Sequence, residues 1–289
     1  MLIRYAWQED GIYFELPRLE HRMTTPIRLA IHGASGRMGQ ALLALVREDQ
    51  RFNLVGALVS SISQRNGKAV FPESPTSLRY THEWSTVAAD AVIDFSGPDG
   101  LAAALDYSLA HHAALVTGTT GIDAALQARL AQASEHIPVL HAANFSLGVA
   151  ILKRLLREAS AALPDWDLEI VEAHHHRKED APSGTALALG HAAAEARNTT
   201  LEKDAVYVRE GRPGARRPGS IGFAVVRGGD VVGEHTALLL GQGERVELSH
   251  RATDRSIFAR GALEAAAWLA GRQPGAYDID DMLKARVAG

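Results

Sequence analysis

Residues Ile27–Gly39 read Ile-Arg-Leu-Ala-Ile-His-Gly-Ala-Ser-Gly-Arg-Met-Gly, and this stretch decides the fold class. Ile27–His32 is a mostly apolar run with strand character. Three glycines follow at G-x-x-G-x-x-G spacing. Met38–Arg47 then continues as a helix, with Leu42, Leu45 and Val46 on one face. Backbone without Cβ atoms can approach a pyrophosphate closely. The helix start adds free N–H groups and the positive end of its dipole. Glycines alone would also fit a tight turn; the strand–turn–helix setting is what predicts a dinucleotide site. Its expected contacts are Gly33, Ala34, Ser35, Gly36, Arg37 and Met38.

Further strands are predicted at Leu54–Val59, Ala91–Phe95, Ala114–Thr117 and Val139–His141, with helices at Leu101–Ala110 and Ala124–Ala133. Apolar strands separated by helices imply a parallel sheet covered on both faces. With right-handed crossovers, residues 25–146 form a Rossmann-like α/β nucleotide domain. After Asn144 the pattern changes. Leu147–Leu163 and Ser183–Ala196 read as helices, and Asp167–Ala173 as a strand. The strands Ile221–Val226, Val231–Leu240 and Arg245–Ser249 are separated by Gly-rich turns, which predicts an antiparallel meander. Residues 147–254 are therefore expected to be an α+β substrate and oligomerisation domain with an open mixed sheet. Ile257–Leu269 is a closing helix within a segment, 255–289, that returns to the first domain. The basic stretch Arg209–Pro218 reads as a solvated loop, or as a contact near the cofactor or a subunit interface.

The bulk numbers narrow the function. The chain has 289 residues, 46% apolar and 22% charged, with a formal net charge of −4 and no cysteine. Nothing in that balance draws it to nucleic acid or anionic membrane. Disulfides, thiolate metal sites and cysteine nucleophiles are excluded. A cytoplasmic location is expected. Charges interrupt residues 1–24 too often for a signal peptide or a membrane span. They are expected to be an extension, poorly ordered or upstream of a natural start at Met23.

Two more segments end strands on the cofactor side of the sheet. Gly118-Thr119-Thr120-Gly121 suits ribose or nicotinamide contacts, or simply prepares a helix cap at Asp123. Ala142-Ala143-Asn144-Phe145 offers an amide for a carboxamide and a ring to bound the nicotinamide. The chemistry is carried by Glu172-Ala173-His174-His175-His176-Arg177-Lys178 and Pro182-Ser183-Gly184-Thr185. His174 can exchange a proton near neutrality. Lys178 is a cation or proton donor. The helix starting near Ser183 exposes N–H groups to a carboxylate. A dicarboxylate gaining a hydride and a proton fits this set. Three adjacent histidines also raise a metal site, but neighbours on a strand face opposite ways, so none is expected. Ser183 lacks a His–Asp relay, which argues against a serine hydrolase.

Together, GASGRMG, GTTG, AANFSLGV, EAHHHRKEDAPSGTAL and IGFAVVRGGDVVGEHT resemble, in order, the motifs of the dihydrodipicolinate reductases. The resemblance runs from about Ile27 to the C-terminus. It implies reduction of a cyclic imine dicarboxylate by NADH or NADPH, with loss of water, in a homotetramer whose domains close over the ligands. His174 matches the proton donor/acceptor and Lys178 the proton donor. His175, Ser183, Gly184 and Thr185 fall at the substrate carboxylate. Gly33 to Met38, Gly118 to Thr120 and Ala142 to Phe145 match cofactor contacts. Other readings are a different two-domain imine or aldehyde reductase, or a nucleotide-sensing regulator without catalysis. A semialdehyde dehydrogenase would need a thiol.

Cofactor choice is read at the end of the second strand. An acid there would hold the adenosine 2′-hydroxyl and repel a 2′-phosphate. Here Val59 or Ser60 stands in its place, and no Asp or Glu occurs from Gln50 through Pro72. NADPH is expected to be preferred and NADH to work. Arg37, Arg65 and Lys68 are the available cations.

Overall fold

The computed structural model describes residues 25–74 and 78–288. The expectation for residues 1–24 lies outside the described residues. The first sheet holds six parallel strands. β1 (Ile27–His32) is followed by α1 (Arg37–Val46), then β2 (Phe52–Leu58), β3 (Ala91–Asp94), α2 (Pro98–His111), β4 (Ala114–Thr117), α3 (Ala124–Ala133) and β5 (Pro138–His141). The glycine loop thus sits between β1 and α1, as its sequence setting predicts. β1 lies between β2 and β3, pairing in parallel with both. The strand order turns at that point, so a crevice opens beyond the carboxyl ends of β1 and β3.

Side-chain alternation covers both faces. Leu29, Ile31 and Ile93 join Leu42 and Val46 of α1 on one side. Ala30, Val92 and Leu115 join Leu101, Leu105 and Leu130 on the other. Runs apolar in every position are what a two-faced burial requires.

The chain then continues through α4 (Leu147–Ala162), β6 (Asp167–His174), α5 (Gly184–Ala196), the one-turn α6 (Leu201–Asp204), β7 (Ala205–Val206), β8 (Ile221–Arg227), β9 (Gly233–Leu240) and β10 (Arg245–Ala252). The second sheet is mixed, in the order β10-β9-β6-β8-β7. β9 and β10 form the expected antiparallel hairpin. The expected meander is wrong at β8. It does not pair with β9; β6 lies between them, parallel to β8 and antiparallel to β9. The reason is the burial of β6. Leu168 and Ile170 are fully buried, so both edges of this strand need partners. The glycines after β8 do not make a hairpin. They carry the chain over the end of β6, where Gly228 N–H donates to His174 O and His175 N–H to Val231 O.

Helices α4 and α5 cover one face of this sheet, burying Leu152, Leu156 and Leu189 against Leu168, Ile170 and Phe223. The last segment returns to the first domain, as expected for its helix. α7 (Ser256–Leu269) packs into the core with α1. Sequence reading missed the two elements beyond α7. β11 (Gly275–Tyr277) adds a sixth strand beside β5, and α8 (Ile279–Ala288) closes the chain. The Arg209–Pro218 stretch is not simply solvated. Arg209 grips Glu169 with two nitrogens, and Arg216 bonds Asp167, Glu169 and the carbonyls of Leu168 and Ser220.

Candidate active site

The glycine loop is built for close approach. Gly33 has φ +74°, and a Cβ there would lie 2.5 Å from the Phe95 carbonyl oxygen. Gly39 packs against the Gly33 carbonyl and Ala34, where a Cβ would collide with backbone. Gly36 caps α1 without any side-chain hydrogen bond, so the first helical N–H groups remain available to an anion. The residues present therefore fit a dinucleotide pyrophosphate. Gly33, Ser35, Gly36 and Ser60 line one hollow, and Arg37, Met38, Gly118, Thr119 and Thr120 line the next.

Sequence reading missed the group underneath. Asp94, at the end of β3, is fully buried. It accepts from Ser96 Oγ, from Thr117 Oγ1 at 2.9 Å and from Thr119 Oγ1 at 2.7 Å, and His32 Nδ1 lies 3.0 Å from it. Burial pushes its carboxyl up, but the bonds from His32, Ser96 and Thr119 outweigh that and hold it below the usual range. Thr119 is therefore turned inward to Asp94, and Thr120 is the threonine that faces the cleft.

A larger cleft of about 830 Å³ lies between the two sheets. Thr120, Ala142, Ala143 and Asn144 line it from the nucleotide side. His174, Lys178, Ser183, Gly184 and Thr185 line it from the other. The domains touch here, because Asn144 Nδ2 donates to Thr185 Oγ1 at 3.1 Å. Four sequence-predicted residues are not brought in. Ala34 is fully buried in the core under the glycine loop, with its N–H donating to Leu58 O. Phe145 is buried, edge-on to Phe95, and packs in the core rather than bounding the cleft. Val59 is buried as well, because it directly follows β2 and its side chain joins the apolar core; Ser60 is exposed beside the glycine loop. His175 does not line the cleft. It lies just past the end of β6, and its Nδ1 is buried without a partner. Burial, then Arg177 and Arg255, lower its basicity.

His174 ends β6 and is nearly buried. Its Nδ1 lies 2.6 Å from Glu172 Oε2. A carboxylate only accepts, so Nδ1 carries the hydrogen and Nε2 is the atom left for chemistry. Lys178 Nζ donates to both oxygens of Asp180, at 2.7 and 2.9 Å. Asp180 is largely exposed, and a surface ion pair of this kind yields at little cost. Ser183 caps α5, its Oγ accepting from Ala186 N–H at 3.1 Å. The cap reading holds, and the Ser183 N–H donates to Glu172 Oε1 at 3.0 Å. His235 Nε2 lies 2.9 Å from Ser183 Oγ, and the His235 ring stands edge-on to His174 at 5.2 Å. Lys153 of α4 also lines the cleft, unflagged by any motif. Among the described residues no cluster of three or more His, Cys, Asp or Glu side chains could hold a metal.

This fold and cleft define a two-domain oxidoreductase built on a dinucleotide-binding sheet. Residues 27–145 match the family model for the dihydrodipicolinate reductase N-terminus, and residues 148–283 match that for its C-terminus. The chain belongs to the dihydrodipicolinate reductase family, whose reductases bind an NAD(P)H nucleotide. It is 47% identical over 262 residues to 4-hydroxy-tetrahydrodipicolinate reductase of Thiobacillus denitrificans, covering 89% of this chain and 98% of the relative. The enzyme of that name from Syntrophotalea carbinolica is 43% identical, at 89% and 98% coverage. A dipicolinate-bound dihydrodipicolinate reductase from Paenisporosarcina sp. TG-14 shares the fold, with TM-score 0.72 at 24% identity over 88% of this chain and 98% of that one.

Proposed function

We propose that this chain reduces 4-hydroxy-tetrahydrodipicolinate to tetrahydrodipicolinate, using NADPH or NADH, in the lysine and diaminopimelate route of the cytoplasm. One observation carries the reading. A single cleft joins the nucleotide edge, at Thr120 and Ala142–Asn144, to His174, Lys178 and the free start of α5. The bound reduced dinucleotide supplies the hydride. The N–H groups at Gly184 and Thr185, with the Thr185 hydroxyl, hold one substrate carboxylate. Lys178 leaves Asp180 to meet the substrate and donate a proton, and the 4-hydroxyl departs as water. His174 moves a proton at Nε2. His175 reaches the substrate only after the domains close, which also excludes water. The test is loss of reduced-nicotinamide absorbance when substrate freshly made by the preceding synthase is added. No loss above background would end the reading.

NADPH preference has structural support. Arg65 lies over the Tyr80 ring, 5.7 Å from its centroid, and donates to the Tyr80 hydroxyl at 3.3 Å. Gln40 Nε2 joins that hydroxyl, at 2.9 Å, to the Ala34 carbonyl of the glycine loop, at 2.7 Å. A cation is thus tethered, through Tyr80 and Gln40, to the glycine loop, and no acid occurs from Gln50 through Pro72. Both cofactors are expected to work, with kcat/KM favouring NADPH by a modest factor. Ser60→Glu shifts preference towards NADH. A wild-type enzyme favouring NADH tenfold or more (about 1.4 kcal/mol) would sink this assignment.

A homotetramer is proposed from the sheet face that α4 and α5 leave uncovered. Val171, Val226, Leu238 and Leu240 stand on it, with Val226 53% exposed. Such a face on an open sheet favours pairing with a second copy. Light scattering is expected to give a tetramer at micromolar concentration, and Leu238→Glu to dissociate it. A stable wild-type monomer would contradict this. Among the described residues no helix is long and apolar enough to cross a membrane.

A further inference from the structure

Glu172 belongs to the same motif as His174 but has no role in the reading above. Its carboxylate is 1% exposed and makes four hydrogen bonds. Oε2 accepts from His174 Nδ1 at 2.6 Å and from Arg227 Nη1 at 2.7 Å. Oε1 accepts from Arg227 Nη2 at 2.8 Å and from the Ser183 backbone N–H at 3.0 Å. Arg227 Nη2 also donates to the Asp180 carbonyl at 2.8 Å. Each of these partners sits on a different functional segment. His174 ends the central strand, Asp180 lies two residues past Lys178, and Ser183 opens the carboxylate-cradling helix.

From this arrangement we infer that Glu172, held by Arg227, is a positioning residue that fixes the His174 ring and sets it in register with both the Lys178 loop and the start of α5. Burial pushes a carboxyl up, yet the bonds from Arg227, His174 and Ser183 outweigh it and keep Glu172 ionised. The bidentate Arg227 fork also fixes the carboxylate plane. A fixed plane fixes the direction of the His174 bond, and so the ring. It selects the hydrogen on Nδ1 and leaves Nε2 for the substrate. Because the same carboxylate binds the Ser183 N–H, the proton-transfer atom and the anion cradle cannot drift apart. Misalignment of reacting groups by even about 1 Å can cost 10²-fold.

The inference rests on His174 acting as proposed, and its test separates the two. Wild-type enzyme lacking reductase activity would refute the function; the inference is judged only on active wild type. Glu172→Gln keeps the shape but places an amide against His174 and Arg227. The expected result is a kcat lowered about 10²-fold, with NADPH affinity, read by fluorescence titration, changed less than about threefold. The second readout is the Nδ1–H proton of His174 in ¹⁵N-histidine-labelled enzyme, assigned by its loss in His174→Ala. It is expected far downfield in wild type and absent or shifted in Glu172→Gln. Removing one partner of a buried pair is strongly destabilising, so Glu172→Gln/Arg227→Gln, which leaves no lone charge, is the second variant. It is expected to fold and to show the same kcat loss. Near-normal kcat in either folded variant overturns the inference, as does a kcat loss with the His174 signal unmoved.

Discussion

Replacing His174 by Ala is expected to lower kcat by about 10²–10⁴-fold, the range for losing a positioned acid–base group, while leaving cofactor affinity nearly unchanged. The geometry explains the split. His174 lines the cleft between the sheets but contributes nothing to the hollows around the glycine loop. The dinucleotide therefore keeps its contacts in the variant. What the variant lacks is the Nε2 atom proposed to meet the substrate, on the ring whose Nδ1 bonds Glu172. Lys178→Ala is expected to fall in the same range, with a larger rise in KM, because its charge also attracts the dicarboxylate. Its partner Asp180 is exposed, so the fold should tolerate the loss. Thr185→Val serves as the contrast. It removes the hydroxyl proposed to meet the carboxylate in ground and transition states alike, so KM should rise more than kcat falls. Steady-state kinetics with direct cofactor titration decide it. His174→Ala with near-normal kcat would end the assignment.

The first domain was legible because each element there carries its own signal. The β1 run, the glycine spacing and the amphipathic α1 need no distant partner to be read. Pairing in the second sheet is a long-range fact. β8 and β9 are neighbours in sequence and carry turn residues between them, yet β6, from about 50 residues earlier in the chain, separates them. Local turn chemistry cannot report which strand is central. β11 is three residues long, too short to show a period. In the site, residues whose type implies chemistry were found: His174, Lys178 and the Ser183–Thr185 helix start. The residues that hold them were not. Arg227 lies 55 positions from Glu172, and Asp94 collects His32, Ser96, Thr117 and Thr119 from several strand ends. Val59 and Phe145 show the converse error. They occupy motif positions, but apolar side chains beside a sheet are buried before they are available to a ligand.

His235 should make the protein acid-sensitive within a range where most enzymes are steady. It is 4% exposed, and burial, then the neighbouring His174, depress its pKa to about 4. Glu172 opposes this, while His250 and Lys178 add to it. In the unfolded chain the same ring titrates near 6.5. The folded pKa is the lower one, so the unfolded state takes up the proton first. The stabilisation is therefore complete above about pH 6.5 and is lost as pH falls towards 4. A shift of this size corresponds to about 3 kcal/mol, and roughly 6–12 °C in Tm for a chain somewhat smaller than this one. Glu172 and Asp94, both held below the usual carboxylate range, add a further loss only when pH drops through the carboxylate region. His235→Gln separates these contributions. Its amide can still meet Ser183 Oγ, and it has no proton to gain. The variant is expected to be less stable than wild type at pH 7.5, because packing against His174 is lost. Its Tm should then decline less than that of wild type from pH 6.5 to 5, the remaining slope coming from His175 and His250, whose basicity burial also lowers. Thermal unfolding of both proteins across that interval is the measurement. Parallel declines would show that His235 is not the group taking up the proton.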